Sequence, residues 1–229
     1  MADLRTDALY GSLRQRGSRD ARSNGYISAG FFRREQSFLL SRLRLGPGDR
    51  VLDLACGSGL MLGPVAGAID LVGVDYNQDA VAQARSNGVV VVRGDAFCLP
   101  FDARSFDAIC CCQFLNQQAP EHQQVFLAEA ARVLRPGGSL HLLWRNGHSL
   151  LHRGVHATFR LLRRLSGQAE FPQFFHAPRT LVAQAGSVGF SVAELKVTLP
   201  AGPAAVAVDS PLAGLVGASF YLELLRGQD

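Results

Sequence analysis

Lysine is almost missing from this chain. Lys196 stands alone, and the formal charge of +4 rests on arginine. An excess so small and scattered does not argue for a nucleic-acid partner. No uninterrupted apolar run approaches the ~20 residues that a membrane-spanning helix needs. Residues 1 to 30 are polar and arginine-rich and lack the apolar centre of a secretory signal. Charged residues make up 18% against 48% hydrophobic, a balance that excludes global disorder. Among the cysteines, Cys110, Cys111 and Cys112 are consecutive, which no ordinary disulfide framework uses. Together with Cys56 and Cys98 they read as reduced thiols, and the chain as cytoplasmic.

At 229 residues the chain fits one domain with a full-sized core, since single domains run to ~250 residues. It shows no internal repeat, low-complexity tract or persuasive linker. Residues 1–47 read as a helical extension, with Phe38, Leu39, Arg42 and Leu43 at helical spacing. After the break at Gly46-Pro47-Gly48-Asp49, strands and helices alternate. Strands are expected at Arg50 to Ala55, Ile69 to Asp75, Val89 to Arg93, Phe106 to Gln113 and Ser139 to Trp144. Helices are expected from the Gly57-Ser58-Gly59 turn to about Gly67, from Gln78 to Ser86 and from Pro120 to Leu134. That schedule implies a parallel sheet with right-handed crossovers. Beyond it, helices are expected at His148 to Leu165 and Thr180 to Ser187. Phe190 to Leu199 and Ala218 to Leu225 read as the last strands, with loop over Pro200 to Pro211.

The sharpest motif is Val51-Leu-Asp-Leu-Ala-Cys-Gly-Ser-Gly59. A strand runs into a turn where glycine allows unusual backbone angles and close approach of a ligand, and a helix start there would offer free N–H groups. Such a turn alone is common. Its companions are Asp75, ending the second strand where a carboxylate can accept from ribose hydroxyls, and Asp95, ending the third where it can meet an adenine amino group. Gln113 closes the fourth strand, and Arg132-Val-Leu-Arg-Pro-Gly-Gly138 precedes the fifth.

In this order and spacing, the segments from about Gly48 to Trp144 closely resemble class I S-adenosylmethionine-dependent methyltransferases. The nearest likeness is to the small-molecule group that includes the ubiquinone and menaquinone biosynthesis methyltransferases. The resemblance implies an α/β, Rossmann-like fold: a seven-stranded, mostly parallel sheet with helices on both faces and an antiparallel last strand. It makes residues 48–145 the cofactor-binding core and 146–229 the acceptor-side helices and final strands. It implies that Asp53 and the turn of Ala55, Cys56, Gly57 and Gly59 hold the methionyl end of S-adenosyl-L-methionine. Asp75 would hold the ribose, Tyr76 would lie against the adenine, and Asp95 and Ala96 would meet its edge. Gln113 would sit near the methionyl group and the transferred methyl. Ala55 departs from the glycine of many relatives, and Leu60 and Met61 are larger than usual. A nicotinamide enzyme's Gly-x-Gly-x-x-Gly is not met, because Leu62 stands at the third position.

An oxygen or carbon acceptor can need a base. His148, just past the fifth strand, is the first candidate, and His122, after the fourth, the second. His148, His152 and His156 recur at every fourth position, but no acidic or cysteine ligand accompanies them, so no metal is expected. Cys110 to Cys112 would pack in the sheet as small hydrophobes rather than serve as nucleophiles. Tyr10, Tyr26, Phe31, Phe32, Phe114, Phe159, Phe171, Phe174 and Phe175 fall in the segments that build the family's acceptor site, which suits a hydrophobic or aromatic small molecule. Arg160-Leu-Leu-Arg-Arg164 beside Phe159 and Leu165 fits peripheral contact with an anionic membrane, or a plain solvated face. The competing functions are an RNA or protein methyltransferase and a non-catalytic cofactor-binding scaffold. Nothing in the sequence bears on the oligomeric state.

Overall fold

The computed structural model describes residues 29–165, 174–200 and 205–228. Tyr10, Tyr26 and Phe171, along with the side chains of His156, Phe159 and Arg160 to Arg164, lie outside that description.

One sheet of eight strands organises the described residues, in the order β3-β2-β1-β4-β5-β8-β6-β7. β1 (Arg50–Leu54) lies centrally between β2 (Asp70–Asp75) and β4 (Phe106–Cys112), parallel to both. β3 (Val90–Arg93) extends the parallel set beyond β2, and β5 (Leu134–Arg145) beyond β4. β8 (Ser219–Arg226) inserts antiparallel between β5 and β6 (Phe190–Thr198). The eighth strand is β7 (Ala205–Ala207), which pairs antiparallel with β6. It occupies part of the stretch read from sequence as loop, so the expected seven strands are one too few. Three residues are too short for a periodic signal, and the edge of β6 supplies the pairing.

Alternation along the central strands feeds two cores. Leu52, Leu54, Ile109 and Cys111 face α3 (Gln123–Val133) and α5 (Pro178–Ser187), through Phe126, Leu127, Ala130 and Leu181. Val51, Ala108 and Cys110 face the opposite way, toward α1 (Ala29–Arg42) and α2 (Gln78–Ser86), through Phe38, Leu39, Val81 and Ala84. The α2 start is fixed by Asn77, whose side chain accepts from the Ala80 N–H. Ser149 does the same for α4 (Leu150–Leu165), its Oγ accepting from the His152 N–H at 3.0 Å, which is why that helix starts after His148. A six-residue helix, α6 (Pro211–Val216), precedes β8. Among the described residues, no helix is long and apolar enough to cross a membrane.

The helix expected from the glycine turn to Gly67 does not form. That stretch is a series of turns with a short 3-10 segment at Gly63–Val65. Pro64 has no N–H to offer the Leu60 carbonyl, so the first helical hydrogen bond cannot close. Gln36 of α1 takes that carbonyl instead, donating from Nε2 to Leu60 at 2.7 Å and to Met61 at 3.2 Å. Any anion-binding capacity of this turn therefore comes from individual N–H groups and not from a helix end.

Candidate active site

The site gathers at the carboxyl ends of β1 to β5, where open parallel sheets bind ligands. Three residues of the first turn hold positive φ: Ala55 at 58°, Gly57 at 57° and Gly59 at 72°. At Gly59 an added Cβ would sit 2.7 Å from Val89 Cγ2, so glycine is required there for space as well as for backbone angle. Ala55 takes the left-handed conformation without glycine's freedom, so its departure from the family pattern carries a strain of ~1 kcal/mol.

Asp75 organises this turn. Its Oδ2 accepts from the Gly57 N–H at 2.8 Å and its Oδ1 from the Asn77 N–H at 2.9 Å. A carboxylate oxygen can accept more than one such bond. Asp53, one residue inside the end of β1, is 2% exposed, and its Oδ2 has no hydrogen-bond partner. Burial, reinforced by the negative charge of Asp75, pushes its carboxyl from 3.8 up to about 7. Near neutrality this carboxyl can therefore hold a proton, which a cation placed against it would displace.

Tyr76 is 42% exposed, and the Arg93 guanidinium lies 5.6 Å over its ring. Asp95 sits beside this pair, because Gly94 N–H donates to the Asp75 carbonyl. Its Oδ1 accepts from the Phe97 N–H at 3.0 Å, closing a local turn, and Ala96 is buried. On the other side of β1, Gln113 follows β4 with φ 61°. Its Nε2 donates to Glu35 Oε2 at 3.0 Å and lies 3.3 Å from Ser219 Oγ. Glu35 and Ser219 had no place in the sequence reading.

His148 is exposed at the mouth of this end, its ring 6.4 Å from that of Phe220. The Asn146 side chain holds the loop by accepting from the His148 N–H at 3.1 Å. His122 lies apart, exposed, 5.4 Å from the Phe97 ring on the Asp95 side. Asn116, also unflagged by sequence, ties three segments together. It accepts from the Arg145 N–H at 2.9 Å and pairs twice with Phe174, through its carbonyl and its Nδ2. Phe175 consequently lies over Gly147, where any side chain would collide with it, and 5.5 Å from the His152 ring. Cys110 and Cys111 are fully buried, and burial pushes both thiols well up. Among the described residues, no group of three or more His, Cys, Asp or Glu could hold a metal ion.

This geometry has known counterparts. Residues 51–138 match the sequence profile of a methyltransferase domain family. A demethylmenaquinone methyltransferase from Beutenbergia cavernae is 37% identical over 121 residues, 52% of this chain and 50% of its own length. The chain spans half or less of the curated relatives it matches first. An S-adenosylmethionine-dependent methyltransferase from Methanosarcina mazei has a similar fold (TM-score 0.63, 21% identity, 81% of this chain and 95% of that one). So has a magnesium protoporphyrin IX methyltransferase from Synechocystis that holds S-adenosylhomocysteine (TM-score 0.60, 18% identity, 86% and 82%). Residues 51–138 are thus similar to a methyltransferase domain, and the fold of the chain is similar to those of S-adenosylmethionine-dependent methyltransferases.

Proposed function

We propose that the chain transfers a methyl group from S-adenosylmethionine to an oxygen or carbon of a small hydrophobic or aromatic molecule. The observation that carries the cofactor half is Asp53: a buried, unpartnered carboxylate oxygen beside a left-handed glycine turn suits a bound cation. In this reading Asp53 and the turn from Ala55 to Gly59 hold the methionyl end, Asp75 the ribose, Tyr76, Asp95 and Ala96 the adenine, and Gln113 the methyl side. The cofactor supplies, when bound, a methyl group made electrophilic by a positive sulfur. The chain's own contribution is alignment, which can be worth ~7–11 kcal/mol. His148 is assigned to take the acceptor's proton, with His122 the alternative. Phe220 beside His148, and Phe175 over Gly147, support a flat or greasy acceptor. Leu150, Leu151 and Leu165 stay exposed along α4, which supports delivery of such an acceptor from a lipid surface.

Calorimetry with S-adenosylmethionine, S-adenosylhomocysteine and NAD tests the cofactor. Binding of both sulfur compounds and not NAD is expected; the reverse sinks the proposal. A mass-shift screen of quinone, phenol and lipid pools, with and without acidic vesicles, then tests the acceptor. Methylation of RNA or protein alone would favour the macromolecular alternative, and binding without any turnover would favour a scaffold.

Asp53 makes the binding pH-dependent. Its folded carboxyl titrates at about 7 and its unfolded one at 3.8. Between those values the ligand-free folded state holds a proton that the unfolded chain has released, so this group's stabilisation falls as pH rises from 3.8 through 7. A cation against Asp53 needs the ionised form and expels that proton. Cofactor affinity should therefore climb from pH 5 to 7, by up to about tenfold per pH unit, and then level off. Heats measured at pH 6 should also vary with the ionisation enthalpy of the buffer. Flat affinity across the range, with buffer-independent heats, would move the cationic end away from Asp53.

A further inference from the structure

α1 carries two adjacent polar residues that both turn inward. Gln36 holds the Leu60 and Met61 carbonyls, on the loop after the glycine turn. Glu35, 2% exposed, holds Gln113 at the end of β4. One turn of helix thus reaches both sides of the cleft above β1. Burying a carboxylate is costly unless it is hydrogen-bonded, and one group that bonds Glu35 is an amide with two unlike ends. Glu35 Oε2 accepts in this bond, so Gln113 presents its NH2 to it. The contact with Ser219 Oγ falls on the same nitrogen. Gln113 Oε1 is therefore turned away from both. It is buried without a hydrogen-bond partner, in a side chain 8% exposed. The backbone agrees: φ is 61° at Gln113, and its N–H donates to the Leu143 carbonyl at 2.7 Å. Non-glycine residues persist in that conformation where their surroundings over-determine it, and such places cluster at functional sites.

We propose that Glu35 is a positioning residue: by fixing the Gln113 amide, it aims an acceptor oxygen at the positively charged donor that occupies the methyl-transfer position. The proposal rests on the methyltransferase reading of the site. A flipped amide would turn its NH2 on that positive charge. Glutamine at 35 would permit the flip, because an amide both donates and accepts.

The test uses sinefungin, which carries an amine where the cofactor carries its sulfonium methyl, and S-adenosylhomocysteine, which has neither. Both are titrated calorimetrically into the whole chain. Glu35→Gln, nearly isosteric, should keep its melting temperature and bind sinefungin at least about tenfold more weakly, with S-adenosylhomocysteine changed by less than about threefold. The exchanged pair, Glu35→Gln with Gln113→Glu, puts the donor on α1 and leaves a carboxylate oxygen facing the cleft. It should recover sinefungin affinity to within about threefold of the original. Equal losses for the two ligands, or unchanged sinefungin binding in Glu35→Gln, overturns the proposal. Should Gln113→Glu fail to fold, Glu35→Gln alone decides by the ratio of the two losses. Failure of the unsubstituted protein to bind either ligand would overturn the methyltransferase reading itself, and is scored before any variant.

Discussion

Alanine in place of His148 should lower turnover by ~10²–10⁴, the usual range for loss of a general base. Affinity for S-adenosylhomocysteine should stay unchanged. The structure places this imidazole where a base is useful. It stands in solvent at the carboxyl end of β5, so an abstracted proton has a way out to water. Its backbone is held by Asn146, and its ring edges toward Phe220, the neighbour of Ser219 in the Gln113 network. None of these contacts touches Asp53 or Asp75, so cofactor binding has no reason to change. His152 stands further along α4 and packs edge-on against Phe175. His152→Ala should therefore cost much less and act chiefly on KM. His122 adjoins Phe97, on the adenine side, so His122→Ala should weaken cofactor binding if it has any effect. Unchanged turnover in His148→Ala, measured with an identified acceptor, would remove the base assignment and pass it to His122, or leave a mechanism of alignment alone.

The second large effect is expected at Asp75. Alanine there removes two proposed charge-assisted hydrogen bonds to the ribose, worth ~1.5–3 kcal/mol each. It also frees the Gly57 N–H, whose bond to Asp75 secures the glycine turn. Cofactor affinity should fall at least ~100-fold, since ~1.4 kcal/mol is a factor of ten. The sheet should survive, because Asp75 is only half-buried at a strand end. Asparagine is not a mild replacement. Both carboxylate oxygens already accept from backbone N–H groups, Gly57 on one and Asn77 on the other. An amide would turn its NH2 against one of them, so Asp75→Asn should lose nearly as much as Asp75→Ala. Calorimetry beside a melting curve separates the two effects: full affinity with Asn at this position would mean that the ribose sits elsewhere.

The candidate cofactor residues stood out in the sequence because they lie near strand ends in a regular alternation. A run such as Val51 to Leu54 is long enough to read as a buried strand, and the turn after it is forced by Gly57 and Gly59. Asp75 and Asp95 then follow from the same schedule. What stayed hidden depends on distant partners. Glu35 looks like one more charge on a mixed helix, and only its meeting with Gln113, 78 positions away, explains why a carboxylate is buried there. Asn116 and Ser219 are equally plain in sequence. The missing helix after Gly59 was legible in principle, since Pro64 announces it, but the alternation of strands and helices pointed the other way. β7 had no local signal, because its reason for being a strand is the open edge of β6.

The insertion of β8 between β5 and β6 has a consequence for how the protein is made. Synthesis delivers β6 before the strand that joins it to the rest of the sheet, so β6 must wait until β8 has emerged. The parallel strands from β1 to β5 can dock on one another earlier, with the glycine turn and Asp75 already assembled. Ser219 reaches Gln113 across 106 positions, a long-range closure. Late closures of this kind fold slowly and leave strand edges open to misassembly while they are pending. A nascent chain halted before Ser219 would thus carry most of a cofactor cleft and an unfinished transfer position. A cofactor bound at that stage would hold the first half in register while β8 arrives, by mass action.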